Sequence, residues 1–146
     1  MTIEFTVPGA PVGKGRPRVT KNGTFTPQKT RDYERLVQLA YNMSRSAPFS
    51  DPAKPLFCAI AAYFPVPPSY SAKKHRELPG TPYTHKPDAD NAAKGILDAL
   101  NGLAYQDDSQ IAALCCRKRW GQQGRADVLI TDDVTEFIGA VVGGAS

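Results

Sequence analysis

Leu56-Phe57-Cys58-Ala59-Ile60-Ala61-Ala62-Tyr63-Phe64-Pro65-Val66 is an unbroken apolar run of strand length, rich in aromatic residues. Such a run reads as a central β-strand, covered on both sides by other elements. Everything else in the chain is arranged around it. Upstream, Thr2 to Val7 alternates polar and apolar at the two-residue period of a half-buried strand and is stopped by Pro8-Gly9. Between the two lies a glycine- and proline-rich basic loop, Gly13 to Arg18, and then Asn22-Gly23, the signal of a tight hairpin turn in a small ribbon. Pro27 suits a helix start, and Tyr33, Leu36, Val37, Ala40, Tyr41 and Met43 recur at helical steps, which predicts a helix over about 28–46.

Downstream, Pro65 to Pro87 is proline-punctuated and basic, longer than most connections inside a compact domain, and is expected to be a mobile flap. A second helix is predicted over about 89–101, with Ala93, Ile96, Leu97 and Leu100 as its buried stripe and Asn101-Gly102 as its stop. Ile111 to Trp120 and Ala126 to Thr131 read as two closing strands, and the tail 132–146 gives only weak cues. The order strand, helix, strand, helix, strand, strand predicts one α+β domain over 1–146, in two layers, with helices on one face of a mixed sheet. A chain of 146 residues has the length of one domain.

Composition narrows the function. No stretch approaches the roughly 20 apolar residues of a membrane span, and the first residues lack signal-peptide architecture, so a cytoplasmic protein without membrane contact is expected. Cys58, Cys115 and Cys116 are odd in number and include an adjacent pair, which suits burial in strands better than disulfides or a metal knuckle. His75 and His85 have neither HExxH spacing nor a cysteine partner, which argues against zinc. The net charge is only +4, but its distribution is uneven. Eight basic residues fall in the first fifty positions against Glu4, Asp32 and Glu34, and a second knot is Arg117-Lys118-Arg119. Two basic clusters around an acidic middle suit a gripped polyanion.

That acidic middle carries the chemistry: Lys86-Pro87-Asp88-Ala89-Asp90-Asn91-Ala92-Ala93-Lys94, then Asp107-Asp108-Ser109-Gln110. Carboxylates two apart in extended backbone point to the same side, so Asp88 and Asp90 can share one hard cation, with water and substrate phosphate completing its shell. Asp98, about 12 Å further up the helix, is out of reach of that ion and reads as structural. Asp108 can just return: the helix climbs about 17 Å, and the six residues after Gly102 stretch back about 20 Å. Lys94 lies one turn beyond Asp90 on the same face, placed to stabilise transition-state charge. Taken singly, these acids read as helix caps and turn residues, and Lys94 as a surface ion pair, before they read as a site. Their combination with the flanking basic clusters favours a metal-dependent phosphodiesterase.

Gly13-Lys14-Gly15 lacks Walker spacing and binds no nucleotide phosphate in that way, yet a glycine loop bearing Lys14, Arg16, Arg18 and then Lys21 can follow a DNA backbone. Lys86, Arg117 and Arg119 are further DNA-binding candidates. On a strand Lys118 faces away from Arg117 and Arg119, and so has a different task. Tyr70 and Tyr83 in the flap are candidates for stacking on unpaired bases or for packing on the domain.

Asp88-x-Asp90-Asn91-x-x-Lys94, Asp98-Ala99-Leu100-Asn101-Gly102 and Asp107-Asp108-x-Gln110-Ile111 together resemble the motif of the RusA family of Holliday-junction resolvases, common in phages and prophages. The match is specific in spacing over 86–111, and the order of elements extends it to about residue 131. The resemblance implies a homodimer that nicks a four-way DNA junction symmetrically with Mg2+, Mn2+ being expected to substitute, in recombination and repair. It implies that Asp88, Asp90 and Asp108 are the essential acids and metal ligands and Lys94 the catalytic lysine, with Asp107 and Asn91 as possible assistants. No nucleotide cofactor is implied. A junction-binding module without cleavage and a nucleotide hydrolase are the competing readings. Ala92 departs from the apolar residue usual after the Asp-Asn pair.

Overall fold

In the computed structural model the described residues are 1–15, 18–25 and 27–143, with the side chains at 18, 24 and 25 also left undescribed. The elements are β1 (Thr2–Pro8), β2 (Arg18–Thr20), β3 (Gly23–Phe25), α1 (Gln28–Met43), β4 (Leu56–Pro65), α2 (Ala72–Glu77), α3 (Ala89–Leu100), β5 (Ile111–Gly121), β6 (Arg125–Thr131) and α4 (Val134–Val142). A single 3-10 turn, Asp108–Gln110, leads into β5. No helix among the described residues is long and apolar enough to cross a membrane.

The apolar run is central, as its composition requires: the sheet order is β1-β6-β4-β5. β4 pairs antiparallel with β6 and parallel with β5, which makes the sheet mixed. The parallel pair obliges the chain to cross over, and α3 is the crossover helix. Its residues Ala92, Ala93, Ile96, Leu97, Ala99 and Leu100 are buried. All of these but Ala92 share one core with Val37 and Tyr41 of α1, Leu56, Cys58 and Ile60 of β4, Ile3 and Val7 of the edge strand β1, and Val128 and Ile130 of β6. Burying each large aliphatic side chain contributes about 1.5–3 kcal/mol.

Three features differ from the sequence expectations. The hairpin turn falls on Lys21 and Asn22, and Gly23, at φ 114°, is already paired with Thr20. The segment 65–87 carries α2 and then runs along the free edge of β5. There Gly80 N–H donates to Trp120 O (2.8 Å), Trp120 N–H to Thr81 O (2.9 Å) and Tyr83 N–H to Lys118 O (3.0 Å). The tail contains α4, capped by Asp133, whose side chain accepts from Thr135 N–H. α4 lies on the sheet face opposite α1 and α3, since Phe57, which alternates with the core residues Leu56 and Cys58, packs against Phe137 as a tilted pair with ring centroids 5.8 Å apart. Helices therefore cover one face fully and the other in part.

The sheet's end is fastened by Asp132, whose Oδ1 takes the Met1 ammonium (2.8 Å) and Oδ2 the Lys54 Nζ (2.9 Å). Hydrogen bonds from these two cations hold the Asp132 carboxyl down at about 2. A depressed acid adds stability that is complete above its ordinary value near 4 and is lost as pH falls through the folded value. Asp132→Asn is expected to melt below the parent near neutral pH, with the gap closing towards about pH 2 in a thermal titration. A pH-independent gap would remove that ion pair as its cause.

Candidate active site

Asp88 is the N-cap residue of α3, in extended conformation (φ −63°, ψ 152°), and its carboxylate makes no capping hydrogen bond. Asp90 stands exposed in the first turn. The macrodipole favours acids at this end of a helix. Lys86 Nζ lies 3.1 Å from Asp88 Oδ1, both side chains being largely exposed.

The backbone leading into this pair is held from two sides. Lys118, on the α3 face of β5, donates from Nζ to His85 O (2.8 Å) and Pro87 O (2.7 Å). Tyr83 donates its hydroxyl to Lys86 O (3.0 Å), stacks on Phe64 with centroids 4.0 Å apart, and meets Trp120 edge-on. Tyr83 therefore packs on the domain, and Lys118 does what alternation along β5 requires, acting away from Arg117. On the other flank the 12–15 loop lies over α3: Lys14 N–H donates to Asn91 O (3.2 Å). A Cβ added at Gly13 would stand 2.7 Å from Asn91 Nδ2 and 2.8 Å from Pro87 Cβ, so the close approach requires glycine. Asn91 is thus engaged with this loop.

Lys14 turns inward. Its Nζ is 2.5 Å from Glu34 Oε1 and 3.5 Å from Asp98 Oδ2. Burial alone would lower its pKa, but the two carboxylates outweigh that and raise it. Lys94 Nζ shares Asp98 Oδ2 at 3.5 Å, with a side chain 62% exposed. Asp98 thus serves as the shared ion-pair partner of Lys14 and Lys94.

Asp108 lies at the far end of α3. Its N–H donates to Oδ1 of Asn101, the C-cap residue, at 3.1 Å. The turn is braced: Asp107 accepts from Ser109 through N–H and hydroxyl, bonds that lower its pKa, and Gln110 closes the capping box. Gln110 Oε1 accepts from the N–H groups of Gln106 and Asp107, while its Nε2 donates to Asp51 O and Lys54 O. Tyr105 hydroxyl donates to Leu97 O at 2.6 Å. The return to the helix start that chain reach allows is not taken, because these bonds hold the turn where α3 ends and β5 begins.

Among the other DNA-binding candidates, Lys21 and Lys86 are exposed. Arg117 donates to Ala140 O (3.1 Å) on the α4 face, the side away from Lys118. Arg119 sits opposite Pro82 in an antiparallel bridge. Arg16 and the side chain of Arg18 lie outside the described residues. Lys118, Asn101 and Gln110 are site-building residues that charge and motif reading left without roles, although strand alternation flags the first.

Two solvent-facing carboxylates two residues apart, backed by a helix N-terminus, fit a divalent cation that keeps most of its shell as water and phosphate. Asp108 does not join them within one protomer: among the described residues no three or more His, Cys, Asp or Glu side chains are grouped to hold a metal.

An α+β domain that presents paired acids at a helix start, a lysine one turn on and basic flanks has the make-up of a polyanion-processing hydrolase. The family described as "Endodeoxyribonuclease RusA" matches residues 8–131, and the chain belongs to that family. It is also 37% identical over 138 residues to the "Uncharacterized protein YqaN" of Bacillus subtilis (strain 168), covering 89% of this chain and 96% of that protein. The family acts as structure-selective endonucleases on Holliday junctions, so the chain is a hydrolase of that kind.

Proposed function

We propose that the chain resolves four-way DNA junctions by paired symmetric nicks, as a homodimer, with Mg2+ as its cation and Mn2+ as a substitute, in recombination and repair. The observation that carries this reading is the solvent-facing pair Asp88 and Asp90 at the start of α3, with Lys94 one turn on. Asp88 and Asp90 hold the ion, with Asp108 as the third acid. When bound, the ion polarises the phosphodiester and activates water. Lys94, paired with Asp98 at 3.5 Å and largely exposed, can swing its ammonium onto a phosphate oxygen and offset the charge that grows there. Lys118 and Tyr83 keep the acid-bearing backbone fixed before substrate arrives. Lys21, Lys86, Arg117 and Arg119, with Arg16 and Arg18, supply phosphate contacts. A two-fold dimer suits a junction with two equivalent strands.

Incubation with Mg2+ and a labelled four-way junction, a linear duplex or free nucleotides tests this. Symmetric nicks in the junction alone are expected. Binding without product would leave a junction-binding module, and turnover of nucleotides would replace the reading with a nucleotide hydrolase.

A further inference from the structure

We propose that Tyr70 and His85 form a stacking site for one unpaired nucleobase of the strand that lies at the acid pair. This rests on the reading above that the substrate is a four-way junction, whose crossing strands can release a base that a linear duplex keeps paired.

The place follows from strand alternation. Along β5, Lys118 and Trp120 share the α3 face, and Trp120 pairs in register with Phe64 of β4. Lys118 reaches Pro87 O, just before α3 begins. Trp120 lies two residues further along, about 7 Å past that point, where the helix no longer covers the sheet. Aromatic rings cover it instead. Tyr83 stacks on Phe64 with centroids 4.0 Å apart and meets Trp120 at 4.7 Å. Phe64 and Trp120 are buried, and with Tyr83 they make a floor.

Two further rings stand on this floor and reach solvent. His85 is exposed and meets Tyr83 and Trp120 at 64° and 72°, with centroids 5.4 and 5.7 Å apart. Tyr70 is half-buried, 6.0 Å from Trp120. Lys118 holds the His85 carbonyl at 2.8 Å, so the imidazole is offered from a fixed backbone and little freedom is lost when a ligand settles on it. Every nucleobase has a π-face, and aromatic side chains in a basic setting bind it whatever the sequence.

Charge and distance select a base of DNA as the occupant. Between 65 and 87 the chain carries Lys73, Lys74, Arg76 and Lys86 against one acid, Glu77, and all five are exposed. Lys74 Nζ stands 4.7 Å from the centre of the Tyr70 ring, so a cation already lies where a stacked nucleotide brings its phosphate. Three residues separate His85 from Asp88, at most about 10 Å of chain, so a base on His85 belongs to a nucleotide close to the phosphate at the acids. Unstacking a base costs least where pairing is already broken, which makes this site a source of preference for junctions over linear duplex.

The test is binding in the absence of metal, so that nothing is cut. Fluorescence anisotropy gives the affinity for a labelled four-way junction, for a linear duplex, and for a junction with abasic nucleotides flanking the crossover. His85→Ala and Tyr70→Ala should each weaken junction binding about tenfold, within the range for one lost stacking partner, and leave duplex binding within about twofold. The parent should bind the abasic junction about tenfold more weakly than the intact one, and both variants should match the parent there. His85→Phe, which keeps a ring, should bind the intact junction as the parent does. Equal losses on junction and duplex would make the rings part of the general DNA surface or of the fold, and losses that persist on the abasic junction would mean that no base rests on them. Either result, or unchanged junction binding, overturns the stacking site while the junction reading stands. A parent protein that binds the junction no more tightly than the duplex overturns that reading and this proposal with it.

Discussion

Asp90→Asn is expected to lower junction cleavage at least about a thousandfold, roughly 4 kcal/mol of transition-state stabilisation, and to leave junction affinity within about twofold. The substitution is isosteric and removes one anionic oxygen donor from an exposed position in the first turn of α3. Its structural cost is the loss of an acid beside the helix N-terminus, about 0.3–1 kcal/mol, too little to unfold a domain of ordinary stability. On the proposed reading, affinity for DNA comes from cations elsewhere, among them Lys21 and Lys86, which the change does not touch. Single-turnover cleavage of a labelled junction in Mg2+, beside gel shifts without metal, separates the two effects. Parallel loss of binding and cutting would mean that Asp90 organises the DNA surface, and the assignment of the acid pair to the metal would fail. Asp88→Asn should behave in the same way, because its carboxylate also caps nothing.

The motif shows in sequence why these two acids belong together, and the fold explains how far that legibility extends. Elements with a clean period were readable: β1 with its alternating burial, β4 as the apolar centre, and α3 from its Ala93, Ile96, Leu97, Leu100 stripe. α4 was not singled out, although Val134, Phe137, Ile138, Val141 and Val142 recur at helical steps, because the segment is short and interrupted by Gly139. Phe137 packs on Phe57, but Val134, Ile138 and Val142 face outward at 48%, 53% and 81% exposure. The docking of 80–83 on β5 rests on backbone groups of a proline-rich segment, which no side-chain pattern announces. Asp88 and Asp90 are neighbours in sequence, so local geometry sufficed for them. The place of Asp108 depends on Asn101, Gln110 and Tyr105 acting together, and chain length set only an outer limit on it. Lys14 shows the same limit of charge counting. A basic residue in a glycine loop looks like a phosphate ligand until Glu34 and Asp98 are found on its ammonium.

Gln110→Ala is expected to cost about 3 kcal/mol of folding stability. Gln110 is 7% exposed and uses both ends of its amide. Oε1 accepts two N–H groups at 3.0 Å each, and Nε2 donates to two carbonyls at 2.9 and 3.0 Å. Alanine leaves the Gln106 and Asp107 N–H groups and Lys54 O without this partner, while Asp51 O still accepts from Lys54 N–H at 3.3 Å; each group that loses its bond and that water does not reach costs about 1–3 kcal/mol. Asp51 and Lys54 belong to the connection before β4, so the same amide ties the Asp107-Asp108 turn to the start of the central strand. Loosening it should misplace Asp108 while leaving Asp88 and Asp90 fixed by Lys118 and Tyr83 at the other end of α3. Cleavage should therefore fall at temperatures where the variant is still folded, whereas junction binding should hold. Urea unfolding gives the first number and cleavage below the melting transition gives the second. Glutamate at this position sharpens the test, since its carboxylate still accepts from Gln106 and Asp107 but meets the two carbonyls with no donor. A loss under about 0.5 kcal/mol for Gln110→Ala, or a stability loss with cleavage unchanged, would mean that the turn keeps its shape without the amide, and that Asp108 is positioned by something else.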